Sequence, residues 1–229
     1  MLPWVLLFLS VLLYSLLLSF LAGSVKPLSR QGEALQRKVF HVGIFTGALP
    51  AQYFMGFWGV VLYGGTVGGL ILLSTMRGRR SFLFRVLDRA AGKEGRAGIL
   101  VPLVATALGG LLGVLLVGRM AMVGYLVCGW GDAAGEIVGR RWGRHHYGPL
   151  LPSWIRSNRS LEGSLGVFLM GSAGGWAALG ILGFPPAPAI GVGLVVGGAA
   201  ALAEGLSRKG TDNFWLQLLP SLLAWWILG

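Results

Sequence analysis

The sequence predicts an all-α fold: a polytopic integral membrane bundle of about eight transmembrane helices. Three observations lead there. Of 229 residues, 55% are hydrophobic and 12% charged, and the mean hydropathy of +0.72 lies far from the balance of a water-soluble domain. Apolar stretches of about 20 residues, enough to cross the hydrocarbon core, recur along the whole chain. The basic residues gather in the segments between them.

The first stretch, 2–22 (LPWVLLFLSVLLYSLLLSFLA), lacks the positive leading segment of a secretory signal and is longer than its apolar core, so it reads as a retained anchor. Stretches 39–55 and 57–75 follow, joined by a very short hairpin. Then come 97–117 after a basic loop, 120–139, 162–182, 188–206 after the breaker FPPAP, and 213–228. No soluble domain or repeat interrupts them, so 1–229 reads as one membrane domain. Cytoplasmic loops of membrane proteins are enriched in Lys and Arg. Segments 23–38, 76–96, 140–161 and the loop with Arg208 and Lys209 hold 18 of the 19 basic residues, leaving Arg119 opposite. With eight spans, both ends lie outside and the basic loops lie in the cytoplasm, most simply across a cell's inner membrane. The run 77–96 alternates basic and apolar residues and reads as an interfacial amphipathic helix on anionic lipid. Asp88 and Glu94 are expected to pair locally within it.

The formal charge of +11 suits membrane lipids of anionic character or an anionic substrate; no nucleic-acid partner is expected. The single cysteine, Cys128, excludes an intramolecular disulfide. Many of the 39 glycines recur one helical turn apart, as Gly43 with Gly47, Gly109 with Gly113, and Gly171 with Gly175, a spacing that lets membrane helices approach closely. GVGLVVGG at 191–198 is read the same way, because no strand precedes it as a dinucleotide fingerprint requires.

Acidic residues are the scarce ones. Five of the eight fall in three short patches, each at the cytoplasmic end of an expected span. In GDAAGEIVGRRWG, Asp132, Glu136 and Arg140 are spaced by four and share a helix face. In NRSLEGSLG, Asn158 or Ser160 can cap the helix that follows. In AEGLSRKGTDN, Glu204 closes one span and Thr211 or Asp212 caps the next. A carboxylate in hydrocarbon pairs with a cation, faces a polar cavity or binds a metal ion. An internal pair of Asp132 and Glu136 with Arg140 or Arg141 is one reading. A site for a polyanion and its divalent cation is the other, favoured by three patches at one depth. Mg²⁺ takes one or two carboxylates plus phosphate oxygens, Arg forks onto phosphate, and helix N-termini offer amides to anions. Gly131, Gly139, Gly143, Gly163, Gly205 and Gly210 would let backbone approach phosphate. No GxxxxGK[ST] loop or protein-kinase signature is present. A fourth patch, RKVFHVG at 37–43, sets Lys38 and His41 about one turn apart. Arg37 and Lys38 are readable as ordinary basic flanks; His41 is either a general base for a lipid hydroxyl or a hydrogen-bonded packing residue. His145 and His146, adjacent and divergent, suit phosphate or headgroup contacts better than a metal.

RKVFHVG, GDAAGEIVGRRWG, RSLEGSLG and AEGLSRKGTDN, in that order over about 37–220, resemble the motifs of the CTP-dependent lipid-alcohol kinases: dolichol, phytol and farnesol kinases and the yeast-type diacylglycerol kinase. The second motif is also similar to part of the phosphatidate cytidylyltransferase signature, whose longer C-terminal run is absent. The resemblance implies a catalytic region over 37–220 behind an N-terminal anchor and loop at 1–36. It implies transfer of the γ-phosphate of CTP, with Mg²⁺, to a membrane lipid alcohol at the cytoplasmic face. Carried over with it are Asp132, Glu136, Arg140, Arg141, Arg159, Ser160, Glu162, Glu204, Asp212 and Asn213. We assign catalysis to Asp132, Glu136, His41 and Glu162. Nucleotide contact falls to Lys38, Arg140, Arg141, Arg159, Ser160, Gly163, Lys209 and Asn213, and metal binding to Asp132, Glu136, Glu204 and Asp212. Arg159 and Ser160 stand where the kinases commonly have Lys-Ser or Lys-Thr. CDP-lipid synthesis by a cytidylyltransferase, attacking the α-phosphate, is the first alternative, and a transporter using intramembrane charges is the second.

Overall fold

The structure is a computed structural model describing residues 2–25, 30–88, 95–147, 159–208 and 210–229. Among the described residues it is helical throughout, apart from one isolated bridge between His146 and Ser160. Apolar segments surrounded by lipid must satisfy their own backbone, and a helix does so within one segment. The helices are α1 (Leu2–Ser24), α2 (Arg30–Arg77), α3 (Phe82–Leu87), α4 (Ala97–Val117), α5 (Ala121–Leu126), α6 (Asp132–Trp142), α7 (Leu161–Ile181), α8 (Pro186–Leu206) and α9 (Asp212–Leu228). A wider π-helical turn, Val127–Gly131, joins α5 to α6 without breaking the run. Leu13, Phe20, Phe54, Leu115, Leu202 and Trp226 are among the large apolar side chains that face outward, as expected where the surrounding solvent is lipid.

Among the described residues, five segments are long and apolar enough to cross a membrane: Leu2–Ser24, Leu35–Arg80, Ala97–Trp142, Leu161–Ile181 and Pro186–Leu206. The expected count of eight spans is therefore not supported. Two of the five run to 46 residues, and each contains a glycine at positive φ, Gly56 (φ 60°, ψ −143°) and Gly118 (φ 55°, ψ −126°). Only glycine takes such angles without strain. The chain doubles back at both: the Tyr63 hydroxyl donates to the Ile44 carbonyl at 2.6 Å, and that of Tyr125 to the Gly110 carbonyl at 3.4 Å. The last expected span, α9, has 17 residues, short of the roughly 20 that a perpendicular crossing needs. The long interfacial helix expected over 77–96 is also corrected. A 3-10 turn at Gly78–Arg80 leads into the six-residue α3, which Ser81 caps and which ends at an extended Asp88. Buried Asp88 Oδ1 has no hydrogen-bond partner among the described residues; Glu94 lies outside them.

α1 packs on α2, α4 on α9, α6 on α7, and α7 on α8. Glycine is what allows these approaches. A Cβ on Gly193 would stand 2.9 Å from the Ser172 carbonyl oxygen, and one on Gly174 would stand 2.8 Å from the Leu126 carbonyl. Gly193 and Gly197 of the 191–198 segment thus serve helix packing, while a Cβ on Gly191 or Gly198 would meet nothing within 4 Å. Gly174→Val should destabilise the protein by about 1–3 kcal/mol, because backbone cannot yield as a side chain does; thermal unfolding in detergent measures it.

Candidate active site

The site forms where the first half of α2 crosses α6. Two glycines of the GWG turn allow the approach of neighbouring helices: a Cβ on Gly129 would meet Phe45 Cβ of α2 at 2.6 Å, and one on Gly131 would meet the Val167 carbonyl of α7 at 3.3 Å. Asp132 and Glu136 then project from α6 toward α2. Lys38 Nζ pairs with Asp132 and lies 2.9 Å from Glu136 Oε2. Arg37 pairs with the same Glu136 oxygen, and Arg140 reaches the other at 2.7 Å. His41 Nε2 lies 3.2 Å from Asp132 Oδ2, at an angle that makes no hydrogen bond. The Lys38 side chain is 2% exposed, so this is a buried, mixed-charge cluster. Asp132 stands near the middle of the continuous helical run Ala121–Trp142, rather than at the cytoplasmic end of a span, where the acidic patch was expected.

A second cluster comes from the loop before α7 and the ends of α8 and α9. Arg159 pairs with Glu204 and lies 3.3 Å from Asp212. Cys128 and Asn213 connect the two clusters: Asp132 follows Cys128 by one turn, and the Cys128 thiol lies 3.8 Å from the backbone and side-chain oxygens of Asn213. Asn213 N donates to Asp212 Oδ1 at 3.1 Å. Thr211 holds the N-cap position of α9 without a side-chain cap bond, its hydroxyl donating to the Arg208 carbonyl, and Asp212 is the first residue of the helix.

The remaining expected residues are placed as follows. Glu162 does not touch the Asp132 cluster; its carboxylate accepts from the Arg144 backbone N–H at 3.1 Å and lies 2.6 Å from His145 Nδ1. Ser160 caps α7, accepting from Gly163 N at 3.2 Å, while Asn158 and Lys209 lie outside the described residues. The Arg141 guanidinium stacks over Trp142 at 5.1 Å, away from the carboxylates. The glycines expected to face phosphate have reasons inside the fold. Added Cβ atoms would meet Gly163 Cα at 3.4 Å from Gly139, Ser160 Oγ at 2.6 Å from Gly143, and the Tyr147 hydroxyl at 2.9 Å from Gly205. Gly210 sits at φ 90°. Among the described residues no group of three or more His, Cys, Asp or Glu converges; the carboxylates come in pairs.

Beside the first cluster opens a cavity of about 380 Å³ between the two halves of α2 and α4. Its walls are apolar over most of their length, but Arg37, His41, Thr106, Asn213 and Gln217 also face it. Asn213 Nδ2 donates to Thr106 Oγ1 at 2.8 Å, and Gln217 Nε2 to the Asn213 carbonyl at 2.8 Å. The sequence reading passed over Arg37, Thr106 and Gln217. Arg37 looks like any basic flank, although it precedes His41 by four residues and so shares its face. Thr106 and Gln217 carried a usable signal, each being a polar residue inside an otherwise largely apolar stretch.

One comparison bears on this geometry. A phytol kinase of Synechocystis sp. (strain ATCC 27184 / PCC 6803 / Kazusa) is 35% identical to the chain over 109 residues. The chain is similar to a lipid-alcohol kinase. The match covers 46% of this chain and 43% of that protein, so under half of either is involved. No family model and no solved structure matches the chain.

Removing Lys38 would leave two facing carboxylates buried without their shared cation. Lys38→Met should cost about 3–5 kcal/mol, read as a fall in Tm in detergent, whereas Arg141→Met should leave Tm nearly unchanged.

Proposed function

We propose that this protein transfers the terminal phosphate of a nucleoside triphosphate, CTP by motif resemblance, to the hydroxyl of a membrane lipid alcohol, working at the cytoplasmic face. The observation that carries the reading is that the Lys38–Asp132–Glu136 cluster adjoins an apolar cavity, with His41 and Arg37 belonging to both. A phosphate needs the first environment and a lipid chain the second. The identity shared with a phytol kinase supports the same reaction class.

Phosphoryl transfer asks a protein mainly for positioning and charge stabilisation. Lys38, Arg37 and Arg140 would exchange carboxylate for phosphate oxygens on the nucleotide, and Arg159 would do the same from the second cluster. His41 would accept the hydroxyl proton as the alcohol oxygen bonds to the γ-phosphorus. The bond from that phosphorus to its bridging oxygen breaks, and the nucleoside diphosphate leaves with the electron pair. Two carboxylates converge on one cation in each cluster, a donor set that also fits Mg²⁺. Asp132 and Glu136, with Glu204 and Asp212, would hold Mg²⁺, whose chemistry when bound is neutralisation of phosphate charge.

Purified protein given Mg²⁺ and CTP labelled at the α or the γ phosphorus, with phytol, farnesol, polyprenols, diacylglycerol and phosphatidate, tests this directly. Label should pass from the γ position to an alcohol; passage from the α position to phosphatidate would establish cytidylyl transfer instead. His41→Ala, by losing a proton acceptor, should lower kcat about 10²-fold with little change in nucleotide KM.

A further inference from the structure

The second half of α2 carries glycines that helix packing does not explain. A Cβ built on Gly64 or Gly65 would have no atom within 4 Å, and one on Gly68 would find only Leu103 Cδ1 at 3.9 Å. Those figures contrast with Gly47, Gly129 and Gly174, where an added Cβ would collide with a neighbouring helix. Glycine is a poor helix former, and of the four such positions on this stretch of α2, counting Gly69, three also line the cavity. Residues 61, 64, 65 and 68 recur at the spacing of a single helical face, and all four line the cavity that adjoins His41. Gly64 and Gly65, like Val61, are exposed rather than buried, so the cavity is open along this edge. The face therefore belongs to the cavity wall at a place where that wall is accessible from outside the bundle's packed core.

A lipid alcohol dissolved in the bilayer must reach His41 sideways, through the protein's flank. The cavity, at about 380 Å³, sits at the small end of the roughly 300–1,000 Å³ typical of ligand sites, which suits one hydrocarbon chain better than two. We infer that Gly64, Gly65 and Gly68 form a lateral doorway through which a single-chain lipid alcohol enters, its hydroxyl leading toward His41. This inference rests on the phosphotransfer reading for the chemistry, but the passage itself is a binding property and is measurable without turnover. Gly69 supplies the internal control, because a Cβ there also meets nothing yet the residue is not part of the cavity wall.

The full chain in lipid nanodiscs would be compared as wild type, Gly65→Leu, Gly68→Leu and Gly69→Leu. One readout is photocrosslinking to farnesol bearing a diazirine on its tail; the other is initial-rate kinetics with geraniol, farnesol, phytol and diacylglycerol. Gly65→Leu and Gly68→Leu should lose most of the crosslink and raise KM for phytol about tenfold, a scale typical of pocket-shape changes. The rise should be smaller for geraniol, the nucleotide KM should hold, and Gly69→Leu should match wild type. Val61→Trp thickens the same wall without replacing a glycine and should act alike, which keeps the test usable if a glycine variant does not fold. Crosslinking indifferent to positions 61, 65 and 68, an equal defect in Gly69→Leu, or a wild-type preference for diacylglycerol would each overturn the doorway. Phosphate transfer with indifferent crosslinking would leave the reaction standing and the doorway refuted. Doorway-dependent crosslinking with no phosphate moving to any alcohol would do the reverse.

Discussion

A lysine ammonium buried among membrane helices is tolerable only if its charge is answered on the spot, and Lys38 organises this molecule on that condition. Its partners Asp132 and Glu136 come from a helix some ninety residues later in the chain. The α2–α6 crossing is thereby constrained to one register: slipping either helix would leave a charge facing apolar side chains, and breaking a buried pair costs several kcal/mol. The remaining ion pairs extend the same balance. Across the two clusters Arg37, Lys38, Arg140 and Arg159 face Asp132, Glu136, Glu204 and Asp212, four cations against four carboxylates. On the proposed reaction, a polyanion and a divalent cation arriving together would re-divide this balance, each replacing a partner of its own sign.

Glycine is used in two opposite ways. On α7 and α8, and at Gly129 in the π-helical turn, it removes side chains so that helices touch. At Gly64, Gly65 and Gly68 of α2 an added Cβ would meet nothing closer than 3.9 Å, and all three line the cavity. Sequence spacing alone does not separate the two uses, because small residues one turn apart look identical whether a helix or a void lies opposite. The same blindness affected the patch glycines, whose neighbours turn out to be Ser160, Gly163 and Tyr147 rather than open space.

The motifs quoted from the sequence are not equally close to the centre. RKVFHVG and GDAAGEIVGRRWG meet directly, because their polar residues recur every three or four positions and so present one face each. The AEGLSRKGTDN patch joins them through Asp212, Asn213 and Cys128. Glu162 stands apart, bound to His145 and to the Arg144 and His145 backbone that follows α6. Its neighbour Ser160 was readable as a cap, since the capping hydroxyl needs only local backbone.

Sequence alone determined what depends on local chemistry. It established the helical, membrane-type composition, the stretches that become helices, the cap at Ser160, and the few ionisable residues whose burial must have a purpose. Tertiary structure decided what depends on approach. Only there did Gly56 and Gly118 turn two long segments back on themselves, Arg37 change from a flank into a partner of Glu136, and Thr106, Asn213 and Gln217 meet across α4 and α9. The physical reason is one of range. Propensity, capping and hydropathy act within a few residues, whereas ion pairs and cavities are made between residues that the chain separates by a hundred positions and packing alone brings together.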